Sequence, residues 1–156
     1  MAFFSCITNF IFHSAKIIVY SYPTCFIFRD YDIYRTEQKN AVAFYKTAYE
    51  GNPKIAVEKY VGKEYIQHNP AVANGTQGFI AYFEKMQLAY PEKSIEFVRV
   101  IAQDDLVALH THQVWPDNDQ YVTMDFFRFD PQGKICEHWD AIQQIPKTSE
   151  NPNKMY

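Results

Sequence analysis

The feature that most constrains this chain is a change of period at Pro91. Before it, apolar residues recur at helical spacing, and after it they alternate as they do in strands. Ala41, Phe44, Tyr45 and Ala48 stand at i, i+3, i+4 and i+7. Thr36 is the expected N-cap of that helix, with Glu37 in a first turn where negative charge suits the helix dipole. Gly51-Asn52-Pro53 ends it and opens a short second helix expected to run to about Val61 and stop at Gly62. Tyr65 to Pro70 reads as non-helical, since Asn69 precedes a proline and is pushed toward an extended conformation. A third helix is expected from Thr76 to about Ala89, with Pro91 beyond its end. Strands then follow: one through Ile95, Phe97 and Ile101, then Leu106–Val114, Tyr121–Phe129 and Lys134–Gln144. The turns between them are Asp104-Asp105, Pro116-Asp117-Asn118-Asp119 and Asp130-Pro131-Gln132-Gly133. Helices followed by antiparallel strands predict an α+β fold with the helices on one face of a curved sheet.

The 156 residues fit one domain, and 27 aromatic side chains supply a packed core. A net charge of −3 argues against a nucleic-acid binder, which normally carries a basic face, and no phosphate-binding glycine motif is present. Cys6, Cys25 and Cys136 have neither the number nor the spacing of a disulfide framework or a zinc-thiolate site. The start is different in kind. Met1–Phe28 holds 19 apolar residues, six of the 13 phenylalanines and a single charge, Lys16. Its uncharged runs are shorter than the ~18 residues of a membrane span, and its lysine lies in the middle rather than ahead of the apolar stretch. The expected organisation is an apolar leader over 1–35, a domain over 36–146 and an irregular tail over 147–156. A cytoplasmic location is expected, while the leader leaves export or weak anchoring open.

The informative side chains are the titratable ones inside apolar strands. Asp125, in Val122-Thr123-Met124-Asp125-Phe126-Phe127, is the clearest. On the core side it costs several kcal/mol unless paired or protonated, which suits a general base; on the other it faces solvent or pairs with Arg128. A three-residue Pro-Gln-Gly loop with Gly133 left-handed sets Asp130 opposite Lys134, Phe127 opposite Glu137 and Asp125 opposite Trp139. Asp125, Phe127, Phe129, Ile135, Trp139 and Ala141 then share one largely apolar face, and Arg128, His138 and Asp140 the other. A shift of one residue would exchange Trp139 for His138. His110 and His112, two apart on a strand, share a face and with Asp125 would make a two-His-one-carboxylate set, but no further ligand has convincing spacing and no metal is expected. They otherwise suit hydrogen bonding to an oxyanion or orientation of the base. His68, beside Tyr65 and Asn69, lies where a loop residue reaches a pocket or caps a helix. No serine or cysteine has a visible histidine partner, so a hydrolase triad is unsupported.

YIQHNPAVANGTQGFIAYF, ALHTH and VTMDFFRFDPQGKICEHWDAIQQIP together resemble the SnoaL-like polyketide cyclases of the nuclear-transport-factor-2-like superfamily, over about Thr36–Tyr156. The resemblance implies a cone-shaped α+β roll, its antiparallel sheet curved around a hydrophobic pocket, often as a homodimer. It also implies cofactor-independent acid/base chemistry: an aspartate on a sheet strand removes a proton next to a carbonyl and promotes aldol closure or isomerisation of a hydrophobic ketone. By that resemblance Asp125 is the acid/base group and His110 its pocket partner, with Tyr65, His68 and Trp139 as pocket contacts; His112 and Phe127 join them through their shared faces. The fold also hosts noncatalytic ligand-binding modules and epoxide hydrolases, and turnover is left open. The expected ligand is a small carbonyl compound, with neither nucleic acid nor cofactor.

Overall fold

The computed structural model describes residues 24–156, with side chains from residue 36 onward except that of Asn118. The leader's first 23 residues, and the roles considered for them, lie outside the described residues. Three helices, α1 (Thr24–Tyr49), α2 (Pro53–Tyr60) and α3 (Gly75–Ala89), cover one face of a five-stranded sheet. Its strands are β1 (Val61–Gln67), β2 (Ser94–Gln103), β3 (Leu106–Val114), β4 (Gln120–Phe129) and β5 (Ile135–Gln144), in the order β1-β5-β4-β3-β2. The α+β class is as expected, and the sheet stays open.

Two boundaries differ from expectation. α1 starts at Thr24, so Thr36 lies inside the helix rather than capping it. Helical spacing marks where a helix packs, not how far its backbone extends. The chain after α2 is a strand, β1, lying parallel to β5. The sheet is therefore mixed, where a purely antiparallel one was expected. β1 escapes a periodicity reading because Gly62-Lys63-Glu64 interrupts its apolar pattern, and pairing with β5, about 70 residues away, supplies what propensity does not.

Packing follows the helical stripe. Ala41, Phe44, Tyr45, Ala48 and Tyr49 of α1 are buried. Phe44 is fully enclosed, stacked on Phe79 of α3 with ring centroids 4.7 Å apart and edge-on to Phe127 of β4 at 5.7 Å. On β3 the burial alternates strictly, with Val107, Leu109, Thr111 and Gln113 inward. The registry of β3 on β4 sets Leu109 against Asp125 and Thr111 against Thr123, so these four share the helix-covered face. Among the described residues no helix is long and apolar enough to cross a membrane.

The β4–β5 hairpin decides the rest. The loop is as expected: Asp130 N–H donates to Lys134 O, and Gly133 has φ of +72°. Beyond it Phe129 pairs with Ile135 but Arg128 pairs with Glu137, which makes Cys136 an extra residue, a β-bulge. Phe127 therefore faces His138, Phe126 faces Trp139, and Asp125 faces Asp140. The expected faces are corrected from Glu137 outward: His138 and Asp140 join Asp125 on the helix side, and Trp139 turns to the outer face.

α3 meets the loop after β1 through Gly78, where a Cβ would collide with the carbonyl of Ala73. Because the obstacle is backbone, it cannot swing aside. Gly78→Ala is expected to cost about 1–3 kcal/mol, the range for forced overpacking, measured by urea unfolding, with an unchanged m-value.

Candidate functional site

Asp125 has no exposed surface. A carboxylate in that position must be fully hydrogen-bonded, and three elements supply the donors. The Tyr45 hydroxyl from α1 donates to Oδ1 at 2.8 Å, Thr123 two residues back on β4 donates to Oδ2, and His138 Nε2 from β5 lies 3.2 Å from Oδ1. Burial holds the Tyr45 hydroxyl well above the usual phenol range, reinforced by the Asp125 charge, so it stays a donor. Arg128, the alternative partner, is on the outer face, bonded to Glu137 at 2.9 Å and Asp105 at 2.6 Å.

His138 is sandwiched between its neighbours. Its ring stacks on Phe127 at 4.6 Å, its Nε2 meets Asp125, and its Nδ1 lies 3.0 Å from Gln67 Oε1 on β1. The parallel pairing of β1 with β5 sets Gln67 beside His138. Next along the chain, the Asn69 amide donates to Asp140 Oδ2 at 2.6 Å while its own Oδ1 accepts the Ala71 N–H at 2.8 Å. Burial raises the Asp140 carboxyl above its ordinary range; the Asn69 hydrogen bond and the His138 charge oppose the rise, and Asp125 adds to it.

Gln67, Asn69, His138 and Asp140, with Tyr49 and Gln113, line a chamber of about 20 Å³, the space of one water. Val72, Tyr82, Met86 and Trp115 line both this chamber and a wider cleft of about 500 Å³ along α3. Asp125 does not line the chamber; Tyr45 and His138, which do, hydrogen-bond to it. A polar row continues across the sheet behind it, from Thr123 to Thr111 at 2.6 Å and, through Gln113, to the Trp115 indole at 3.1 Å. The ligand atoms of Asp125, His138 and Asp140 lie within 4.8 Å of one another and would be the set for a cation. Both Asp125 oxygens accept hydrogen bonds, from Tyr45 and Thr123.

The structure divides the expected site residues. Asp125 and Phe127 are inside, and Tyr65 is buried beside them with its ring 5.7 Å from Phe79 and its hydroxyl 3.4 Å from the Gln67 amide. His110 and His112 do share a face, but it is the outer one: His110 pairs across the sheet with Met124, one residue out of phase with Asp125. His110 meets Arg99 at 2.9 Å and the Met155 carbonyl at 3.1 Å, and His112 stacks on Tyr156 at 3.7 Å. The expected partnership of His110 with Asp125 is therefore corrected. His68 and Trp139 also leave the pocket; they stack on each other at 4.8 Å, with Arg128 over the Trp139 ring. Sequence reasoning passed over Tyr45, Gln67, Asn69, His138 and Asp140 as site residues. The bulge at Cys136 hid His138 and Asp140, and only the unread β1 would have revealed Gln67.

Asn69→Ala removes the donor that favours ionised Asp140. A carboxyl whose folded value is raised stabilises relatively at low pH, and that contribution is lost as pH rises through the folded value. The variant raises that value further. Its stability deficit against the wild type is therefore expected to grow from acid to neutral pH, by about 1.5–3 kcal/mol for a hydrogen bond to a charged group, read from urea unfolding at several pH values. A deficit that is constant with pH would assign Asn69 to the loop alone.

Comparison with known proteins agrees with the fold. A SnoaL-like domain model matches residues 41–138. A search of curated proteins gives no significant match. Among solved structures, TsrD from Streptomyces laurentii superposes with a TM-score of 0.59 at 18% identity, covering 69% of this chain and 89% of TsrD. IdmH from Streptomyces antibioticus, provisionally named a polyketide cyclase, gives 0.58 at 13% identity over 68% of this chain and 91% of IdmH. AclR from Streptomyces galilaeus, provisionally named a hydroxylase, gives 0.57 at 17% identity over 69% and 88%. At these identities the likeness is one of fold, and with the domain match over more than half its length the chain belongs to the SnoaL-like family.

Proposed function

We propose that this chain is a small-molecule enzyme that moves a proton at the carbon next to a carbonyl, leading to aldol cyclisation or isomerisation of a hydrophobic ketone. The observation that carries the reading is the wholly buried Asp125 joined to His138 at 3.2 Å, with Asp140 beside them over one small chamber. A carboxyl group and an imidazole lining one chamber, with a second carboxyl bonded to the imidazole from behind, are what proton transfer at carbon requires. The α C–H bond breaks, its proton goes to a group of the site, and the electron pair moves into the enolate. The enolate carbon then bonds to a second carbonyl whose oxygen takes a proton, or is reprotonated at another position. No electrons enter or leave.

The chamber holds one small group, so the apolar body of the ligand lies in the cleft along α3, whose ~500 Å³ is within the usual range of ligand pockets. Tyr82, Met86 and Trp115 then stand at the passage between the two spaces. The cyclase and hydroxylase names of the structural neighbours support small-molecule chemistry of this kind.

The test is exchange of α-hydrogens for deuterium in a panel of apolar ketones, followed by NMR. The wild type is expected to catalyse exchange, and Asp125→Asn and His138→Gln to lower it about 10²–10⁴-fold, the usual contribution of a positioned acid or base. Binding without exchange would sink the enzymatic reading and leave a ligand-binding module.

Association is proposed for the outer face. Ile101, Ala108, Phe126 and Trp139 are cross-strand neighbours in one row over four strands, and Ile101 and Phe126 are 61% and 44% exposed. Such a row suits a second copy of the chain. Phe126→Asp is expected to convert a dimer to monomer in sedimentation velocity; an unchanged distribution, or a wild type that is already monomeric, would contradict it.

A further inference from the structure

Two side-chain amides at the end of β1 have their orientation set by backbone donors. Gln67 Oε1 accepts the Asn69 backbone N–H at 2.9 Å, so the atom 3.0 Å from His138 Nδ1 is an oxygen and not the amide nitrogen. A carbonyl oxygen only accepts, and His138 Nδ1 must therefore carry a proton. The other ring nitrogen, Nε2, then faces Asp125 Oδ1. A lone pair against a carboxylate would be repulsive, so one proton lies between them, whether written as imidazolium and carboxylate or as neutral ring and carboxylic acid. Asn69 works the opposite way on Asp140. Its Oδ1 is occupied by the Ala71 N–H, which obliges its NH₂ to face Asp140 Oδ2, and a donor there favours the ionised carboxylate.

We propose that Gln67 is a positioning residue that holds His138 in its Nδ1–H form, so that the Asp125–His138 pair carries one proton and is the acid of the site, and that Asp140 is the base. The inference rests on the proton-transfer reading for its second half only. Access supports the same division. Asp140 and His138 line the chamber and Asp125 does not, so the carboxylate that can touch a substrate is Asp140. In the reaction, Asp140 removes the α-proton and the Asp125–His138 pair donates its proton to the carbonyl oxygen, giving a neutral enol. After closure the Asp125–His138 pair takes its proton back from the enol oxygen and Asp140 gives the abstracted proton to the new alkoxide oxygen, or in isomerisation to another carbon. Both groups are thereby restored, and the cycle needs no outside reagent. The groups facing His138 are Gln67 from β1, Tyr45 from α1, Asp125 and Phe127 from β4, and Asp140 on its own strand.

The donor half is tested without substrate, by ¹⁵N NMR of the imidazole nitrogens in the full chain. The wild type is expected to show a protonated Nδ1 throughout the pH range in which it is folded. In Gln67→Met the acceptor is gone, and the Nε2–H neutral form is expected to appear. Gln67→Glu keeps an acceptor at the same place and is expected to restore the Nδ1–H signal, which separates orientation from simple damage to β1. A wild type with the proton on Nε2 alone, or a Gln67→Met spectrum identical to it, overturns this half. The base half is read from ketone exchange: Asp140→Asn is expected to lose at least about 10²-fold while its His138 spectrum keeps the Nδ1–H signal. Wild-type exchange in Asp140→Asn overturns the assignment of the base. If the wild type exchanges no ketone, the proposed function and the role of Asp140 fall together, and the ¹⁵N result still decides the role of Gln67.

Discussion

A carboxylate with no exposed surface is the constraint around which this structure is arranged. Asp125 lies beside Phe127 on the helix-covered face of β4, where an unsatisfied charge would cost more than most single interactions contribute. Its hydrogen bonds come from α1, its own strand and β5, so satisfying it requires that the helix layer and the centre of the sheet be assembled together. Thr123, Thr111 and Gln113 extend the same row, and each is nearly or fully buried. Such a row stabilises only when complete, and it penalises alternative registers, which would leave several buried groups unpaired.

The proposed chemistry rests on a difference in surroundings around that carboxylate. The buried member of the carboxyl pair is braced by neutral donors and a histidine, while Asp140, across the same strand pair, reaches the chamber with an amide donor on one oxygen. The two groups are the same residue type in different surroundings, and surroundings are what separate an acid from a base. β1 is the element that imposes the difference. Its parallel pairing brings Gln67 to His138, and the Asn-Pro turn after it brings Asn69 to Asp140.

The helix-covered face and the outer face divide the polar residues differently from what spacing alone suggested. His110 and His112 do alternate in phase with each other, as a strand requires, yet the phase is set by Leu109 and Thr111 facing the helices. His68 and Trp139, which have the composition of pocket residues, form instead a stacked pair under Arg128 on the outer side. There they help shape a surface on which the last residues of the chain, Met155 and Tyr156, also lie.

Much of the fold was determined by the sequence alone. The switch of apolar period at Pro91, the stripe Ala41–Phe44–Tyr45–Ala48 and the turn signals placed α2, α3, β2 to β5 and the Gly133 loop, because these depend on local spacing and on backbone preferences that each residue carries with it. Alternation put Asp125 on the face of Phe127 and Phe129, while its complete burial, rather than exposure or pairing with Arg128, was decided by the packed structure. What only the tertiary structure decided was the site around it. A bulge at Cys136 has no glycine or proline to announce it, and one extra residue turns His138 and Asp140 inward and Trp139 outward. β1 and its contacts were equally illegible, because its pairing partner is about 70 residues away and its pattern is weak. Local propensity records what a segment prefers; which side chains meet in the chamber depends on registers that only the packed sheet selects.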